Sequence, residues 1–232
     1  ADCIVAGPGL GQSKTAGLLC GRILEKAEKT LILDADALNL LAGDAHLQQL
    51  AKERTKRFPQ TELVLTPHQG ELARLLQKPV EELKQDPICH AAELSGKFQC
   101  ITVSKDAVTV TCDSTGRFYL NTTGNSGMAT AGSGDVLAGL LGSFFARKDS
   151  AREKARTKAM PVKQAMTAKQ AMTVKQAMPA KQAMPAKQTM PVKLAAMAVY
   201  LHGALGDLGA ERLGENALLA GDLIEELKHI SS

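Results

Sequence analysis

The sequence predicts an α/β fold: a mainly parallel sheet flanked by helices, with one antiparallel hairpin and a basic repeat inserted late in the chain. Three observations carry this expectation. Short β-rich runs alternate with helix-length apolar patterns through the first two-thirds of the 232 residues. The polar clusters GPGLG, DAD and TPHQGE each follow the end of such a run, and ligands of open α/β sheets bind at the carboxyl ends of strands. Residues 159–193 break the alternation with a six-residue repeat.

Cys3-Ile4-Val5-Ala6 is expected as a buried strand, then a glycine turn and a helix near Ser13–Lys29. Leu31-Ile32-Leu33 is the next strand, running into Asp34-Ala35-Asp36 and a helix at 36–42. Leu63-Val64-Leu65 ends in Thr66-Pro67-His68, and Cys100–Val103 follows a helical stretch. Val108–Cys112 and Arg117–Leu120 flank Asp113-Ser114-Thr115-Gly116, a hairpin signal. Helices are then expected at Val136–Arg147, Leu194–Leu213 and Ala217–Ile230.

The repeat reads AMPVKQ, AMTAKQ, AMTVKQ, AMPAKQ, AMPAKQ, TMPVKL. Six residues turn an ideal helix about 600°, so successive methionines spread over three faces and form no stripe. Pro161, Pro179, Pro185 and Pro191 also interrupt a helix. The segment is expected to be a disordered insertion between two helices of a single domain spanning 1–232.

Composition bounds the function. Hydrophobic residues make up 44% of the chain, enough for one sizeable core. Aromatics are 3% with no tryptophan, which argues against base stacking and nucleic-acid binding. No run is long and apolar enough to span a membrane. The net charge is +4, but Lys154–Gly206 holds nine Lys or Arg and no acid, so subtracting those nine leaves −5 for the remainder. Five cysteines without a CxxC pair point to reduced, mostly buried thiols and a cytoplasmic setting.

The chemistry concentrates at Gly124–Gly139, GNSGMATAGSGDVLAG. Gly132 and Gly134 free the backbone to aim successive N–H groups at one point, and a helix N-terminus adds partial positive charge. That is an anion site with a carboxylate, Asp135, beside it. The residues alone also allow a plainer reading, with Asp135 an N-cap and the glycines a turn. Asp34 and Asp36 read either as an N-cap pair or as carboxylates holding magnesium through water. His68 reads as the opening of a helix, Glu71 as first-turn dipole compensation, and Lys105-Asp106 as a strand-end turn.

Six motifs occur in order: AGPGLG at 6–11, LDADALNLL at 33–41, LTPHQGEL at 65–72, SKDAVTV at 104–110, NTTGNSGMATAGSGDVLAGLLGS at 121–143 and AVYLHGALGD at 198–207. Together they resemble the ribokinase-like NAD(P)H-hydrate dehydratases, over essentially the whole chain except the repeat. The resemblance implies repair of hydrated NADH or NADPH: ADP, or ATP in eukaryotic members, phosphorylates the added hydroxyl, and phosphate then leaves. It implies Mg²⁺, a small-molecule substrate, and Asp135 as the catalytic base. It places Lys105, Asp106, Ala107, Val108, Thr109, Gly132, Ser133 and Gly134 at the nucleotide, and Gly9 or Gly11, His68 and Asp135 at the hydrated dinucleotide. No residue is assigned as a direct metal ligand, and a homo-oligomer stays open. The glycine loop reads AGSGD where the commoner family form is GGTGD. Members also carry a further portion before GPGLG. The chain is therefore expected to lack part of the sheet, to expose an edge, and to be marginally stable and weakly active. Two other readings stay open: a hydroxyethylthiazole-type small-molecule kinase of the same superfold, and an inactive nucleotide-binding fragment.

Overall fold

The computed structural model describes residues 2–147 and 190–230. Six strands form one sheet in sequential order: β1 (Cys3–Ala6), β2 (Thr30–Leu33), β3 (Leu63–Leu65), β4 (Ile101–Ser104), β5 (Val110–Cys112) and β6 (Phe118–Leu120). The pairs β1·β2, β2·β3 and β3·β4 are parallel; β4·β5 and β5·β6 are antiparallel. The expected hairpin excursion is therefore present, and its turn is built on Asp113, whose Oδ1 accepts from Thr115 N–H at 2.9 Å.

Crossovers of one hand that always step in one direction deposit their helices on one face. That places α1 (Lys14–Lys26), α2 (Asp36–Gly43), α3 (Ala45–Arg57), α4 (Gln69–Leu76), α5 (Val80–Leu83) and α6 (Pro87–Phe98) together. Leu31, Leu33, Leu63 and Leu65 pack against them. The alternate residues Ile32, Val64, Ile101 and Val103 face the opposite layer, made of α7 (Ser133–Ala146), α8 (Met190–Leu213) and α9 (Ala220–Ile230). Both faces of β2, β3 and β4 are covered, which explains their unbroken apolar runs, whereas β1, expected to be buried, is an edge strand with Cys3 and Ile4 half-buried and Val5 39% exposed. Each fully buried Leu or Ile contributes roughly 1.5–3 kcal/mol.

Several boundaries differ from expectation for local reasons. Ser13 is the N-cap of α1, and the helix ends at Lys26, three residues early. Arg54 is 1% exposed, and its guanidinium takes the carbonyls of Leu24 at 3.1 Å and Ala27 at 2.7 Å, closing the end of α1. α7 begins at Ser133 rather than Val136, because Gly132 caps it with φ 87°. Asp135 is therefore inside the first turn and is not the N-cap. α8 begins at Met190, the second residue of the last repeat unit and four residues earlier than expected, with Pro191 in its first turn, where a missing N–H costs nothing. The disorder expected of the repeat is thus overturned for residues 190–193, and its remainder lies outside the described residues. α9 starts at Ala220, after a 3₁₀ turn at Glu215–Ala217.

No helix among the described residues is long and apolar enough to cross a membrane. The five cysteines are free: Cys20, Cys100 and Cys112 are buried, Cys3 is half-buried, and Cys89 is exposed. Burial pushes the Cys100 and Cys112 thiols up to about 12.

Candidate active site

The polar strand-end motifs meet along the carboxyl edge of the parallel strands. Asp34 leaves β2 and is 2% exposed; its Oδ1 accepts from Lys105 Nζ, just past β4, at 2.7 Å. The tip of β4 is locked to the tip of β3 by Lys105 N–H donating to the Pro67 carbonyl at 2.8 Å. Removing a charged pair this deep from water is costly unless the pair is well formed or has further work to do.

The chain between Asp34 and Asp36 is strained. Ala35 has φ 47° and ψ −120°, a conformation that costs a non-glycine residue about 1–3 kcal/mol and clusters at functional sites. Neither aspartate caps α2, contrary to one of the two readings of the sequence. Asp34 is committed to Lys105, while Asp36 reaches across to the first glycine loop, accepting from Gly11 N–H at 2.8 Å and from Gln12 Nε2 at 3.3 Å. The same loop passes so close to β2 that a Cβ on Gly7, at φ 128°, would lie 1.7 Å from the Asp34 carbonyl oxygen. Gly9 and Gly11 are exposed on this turn.

His68 opens α4, as the residues alone allowed. Its Nδ1 accepts from Gly70 N–H at 3.0 Å, and Glu71 Oε2 returns the favour to His68 N–H at 2.9 Å. Glu71 is therefore more than a dipole-compensating acid: it is 4% exposed, in a group that includes His68, Lys105 and Asp34. Burial pushes its carboxyl up, opposed first by the His68 N–H and then by the neighbouring His68 and Lys105 charges. The His68 ring itself stays half exposed to solvent.

The first turn of α7 completes the edge. A Cβ on Gly134 would lie 3.5 Å from Lys105 Nζ and 3.9 Å from Asp34 Oδ2, so the glycine backbone stands directly over the ion pair. Ser133 N–H is bonded to the Thr130 carbonyl at 3.3 Å, and Gly132 supplies no side-chain cap. Gly134 and Asp135 N–H thus have no acceptor among the described residues, leaving two donors at the positive end of a 14-residue helix. Asp135 is exposed in that turn and has no hydrogen-bond or ion-pair partner among the described residues.

α8 backs this turn from the other side. His202 Nε2 lies 2.9 Å from the Ser133 carbonyl oxygen and 3.3 Å from Ser133 Oγ. Thr123 Oγ1 donates to the Tyr200 carbonyl at 3.0 Å, and Asp207 accepts from Gly124 N–H at 2.9 Å and Asn125 Nδ2 at 3.1 Å.

The structure therefore brings together Lys105, Gly134 and His68 of the expected residues, with Asp135 on the same helical turn as Gly134. Asp106–Val108 form an exposed turn beyond Lys105, where Asp106 Oδ1 accepts from Ala107 N–H at 2.8 Å; Thr109 is half-buried. Gly11 joins the site indirectly, through Asp36 and the strained DAD turn, and Gly9 lies exposed on the same glycine turn. Three residues not assigned a catalytic or binding role belong to it: Asp34, Glu71 and His202. Asp34 was legible as an acid at a strand end and Glu71 as an acid in a helix's first turn; His202 sits in a helical pattern that gives no sign of its partner. Electrostatically the site offers two amide donors without acceptors among the described residues, a lysine paired with Asp34, and a second buried carboxylate in Glu71, an arrangement suited to a polyphosphate.

Comparison with known proteins agrees with this chemistry. The chain matches the NAD(P)H-hydrate dehydratase family over residues 1–189. It is 32% identical over 229 residues to the bifunctional NAD(P)H-hydrate repair enzyme Nnr of Moorella thermoacetica, covering 99% of this chain and 34% of that protein. It is 40% identical over 144 residues to the ADP-dependent (S)-NAD(P)H-hydrate dehydratase of Neisseria meningitidis, covering 62% of this chain and 47% of that one. The chain thus spans between a third and a half of these relatives. Among solved structures, the Bacillus subtilis ADP/ATP-dependent NAD(P)H-hydrate dehydratase co-crystallised with ATP/Mg²⁺ superposes with a TM-score of 0.69 at 26% identity, over 99% of this chain and 64% of that one. A hydroxyethylthiazole kinase from Pyrococcus horikoshii shares the fold at 17% identity, with a TM-score of 0.63. A family match over most of the chain, carried on a ribokinase-like fold, means that this chain belongs to the NAD(P)H-hydrate dehydratase family.

Proposed function

We propose that the chain carries the active site for nucleotide-dependent dehydration of hydrated NADH and NADPH, with ADP as the phosphoryl donor. The observation that carries this reading is the close approach of Gly134 to the Lys105–Asp34 pair in a first helical turn where the Gly134 and Asp135 amides have no acceptor among the described residues. The Neisseria relative is named for ADP, and a Bacillus relative was crystallised with ATP and magnesium.

In this reading the dinucleotide lies between the GPGLG turn and His68, and the adenine nucleotide lies along Lys105–Thr109 and Gly132–Gly134. Asp135 takes the proton of the added hydroxyl as its oxygen attacks the terminal phosphorus of ADP, and AMP leaves with the electrons of the broken bridging P–O bond. General-base help of this kind contributes typically about 10²–10⁴-fold. The two amides and Lys105 stabilise charge on the transferring group, the larger contribution in phosphoryl transfer. Phosphate then leaves with the C–O bonding electrons, and loss of a ring proton restores the dihydronicotinamide.

Magnesium takes few carboxylates plus phosphate oxygens; Asp34, whose Oδ1 is taken by Lys105, would hold it through Oδ2 or a water alongside the nucleotide's phosphates, and it would supply neutralisation of phosphate charge.

The test is Asp135→Asn, which keeps the size of the side chain but not its basicity. Turnover should fall by about two orders of magnitude or more with ADP affinity retained. Near-normal turnover would refute the assignment.

A further inference from the structure

The described residues contain other buried polar groups that the proposed reaction does not use. Arg54 is spent on carbonyls at the end of α1. Lys97 donates to the Leu75 carbonyl at the end of α4 at 2.7 Å. Asp113 is consumed by its own hairpin turn. His202 is different, because its partner is the backbone of the first turn of α7.

Ser133 C=O and Gly134 N–H belong to one peptide unit, so they point in opposite directions. The carbonyl has no proton to give, which assigns the proton to His202 Nε2. At 2.9 Å that N–H donates to the Ser133 carbonyl, with Ser133 Oγ at 3.3 Å as a second, weaker acceptor. The hydrogen bond fixes the rotation of the Ser133–Gly134 peptide plane, and with it the direction of the Gly134 amide. It also polarises that amide, since a carbonyl that accepts a bond makes its own N–H a better donor.

This plane needs outside support. It follows the N-cap Gly132, which has φ 87° and offers no side-chain cap, and it contains Gly134, the most permissive residue type. The support is itself anchored. Thr123 Oγ1 bonds the Tyr200 carbonyl, and Asp207 grips Gly124 and Asn125, so α8 is held at points on either side of His202. α8 and α7 pack along the apolar layer through Leu137, Leu141, Ala198 and Leu205.

We propose that His202 is a positioning residue for the nucleotide site: its Nε2–H holds the Ser133–Gly134 peptide so that the Gly134 amide faces the bound phosphate. The inference rests on the nucleotide being bound at this turn, as in the proposed function, but it does not depend on which hydroxyl receives the phosphoryl group. His202 touches no reacting atom.

The experiment compares three substitutions by calorimetric titration with ADP, alongside thermal melts. Glutamine places an amide nitrogen near the position of Nε2. Asparagine is one methylene too short to reach, and leucine fills the space without a donor. His202→Leu and His202→Asn should each weaken ADP binding by roughly tenfold, as expected for one lost hydrogen bond, and lower kcat while leaving KM for the hydrated dinucleotide near wild type. His202→Gln should retain ADP affinity within about threefold by the same measure. The split between glutamine and leucine is the signature, because loss of packing alone would not be rescued by glutamine. Equal loss in all three folded variants, or ADP affinity unchanged in His202→Leu, would overturn the proposal. If the wild-type chain binds ADP and the variants show the split, yet the wild-type chain fails to dehydrate hydrated NADH, the proposed function fails and this inference stands.

Discussion

Replacing Gly134 tests the phosphate seat by steric means alone. The position is helical, so no unusual backbone conformation is at stake, and only the space over the ion pair matters. A Cβ there would sit 3.5 Å from Lys105 Nζ and 3.9 Å from Asp34 Oδ2, ordinary contact distances. Gly134→Ala should therefore fold normally, with stability unchanged or raised by up to about 1 kcal/mol from helix propensity. Valine adds two methyls reaching about 1.5 Å further, and its χ1 is held largely in one rotamer in a helix, so they cannot easily turn aside. They occupy the volume in which a phosphate oxygen would accept the Gly134 N–H. A hydrogen bond to a charged group is worth about 1.5–3 kcal/mol, so Gly134→Val should weaken ADP by about 10- to 100-fold. Calorimetry with ADP, with thermal melts of both variants, reads the two effects separately. A folded Gly134→Val chain that binds ADP like the wild type would place the nucleotide elsewhere.

Three further outcomes are expected. Gly7→Ala puts a methyl 1.7 Å from the Asp34 carbonyl oxygen at a φ of 128°, which should cost about 3 kcal/mol or more and lower Tm by roughly 6–12 °C; a Tm within a degree or two of wild type would contradict that packing. Replacing residues 159–189 with a short Gly/Ser linker should leave Tm nearly unchanged, whereas extending the replacement through Lys193 removes Val192, 1% exposed, and should cost roughly 1.5–3 kcal/mol; equal melts for the two replacements would show that the start of α8 does not pack as described. Burial raises the Glu71 carboxyl in the folded state, so its contribution to stability is present at acidic pH and is lost as pH rises through and above the ordinary carboxylate range. Glu71→Gln does not titrate, and its Tm relative to wild type should climb as pH rises from below the ordinary carboxylate range through and above it; a flat difference would refute the sign.

Much of the fold was legible because a parallel sheet writes itself as short apolar runs separated by helix-length patterns. Leu31–Leu33 and Leu63–Leu65 are buried on both faces and read as unbroken apolar segments. The hairpin was announced by Asp113–Gly116. Helix ends were less legible, because tertiary contacts set them. α1 stops where Arg54, about 30 residues away in sequence, claims its carbonyls, and α8 extends into the repeat because Val192 finds the core. In the site, the glycine turn and the strand-end acids stood out by local chemistry. The pairings did not. Nothing local says that Asp34 meets Lys105, 71 residues on, that Asp36 holds the Gly11 amide, or that His202 reaches Ser133.

The central claim is tested most directly by one incubation. The chain is mixed with hydrated NADH and magnesium, with ADP, with ATP or with no nucleotide, and dihydronicotinamide absorbance is followed with AMP and phosphate release. The account predicts recovery of absorbance only when nucleotide is present, with one AMP and one phosphate formed from ADP for each ring restored. ADP binding without any nucleotide-dependent recovery, or recovery that proceeds equally without nucleotide, would contradict it.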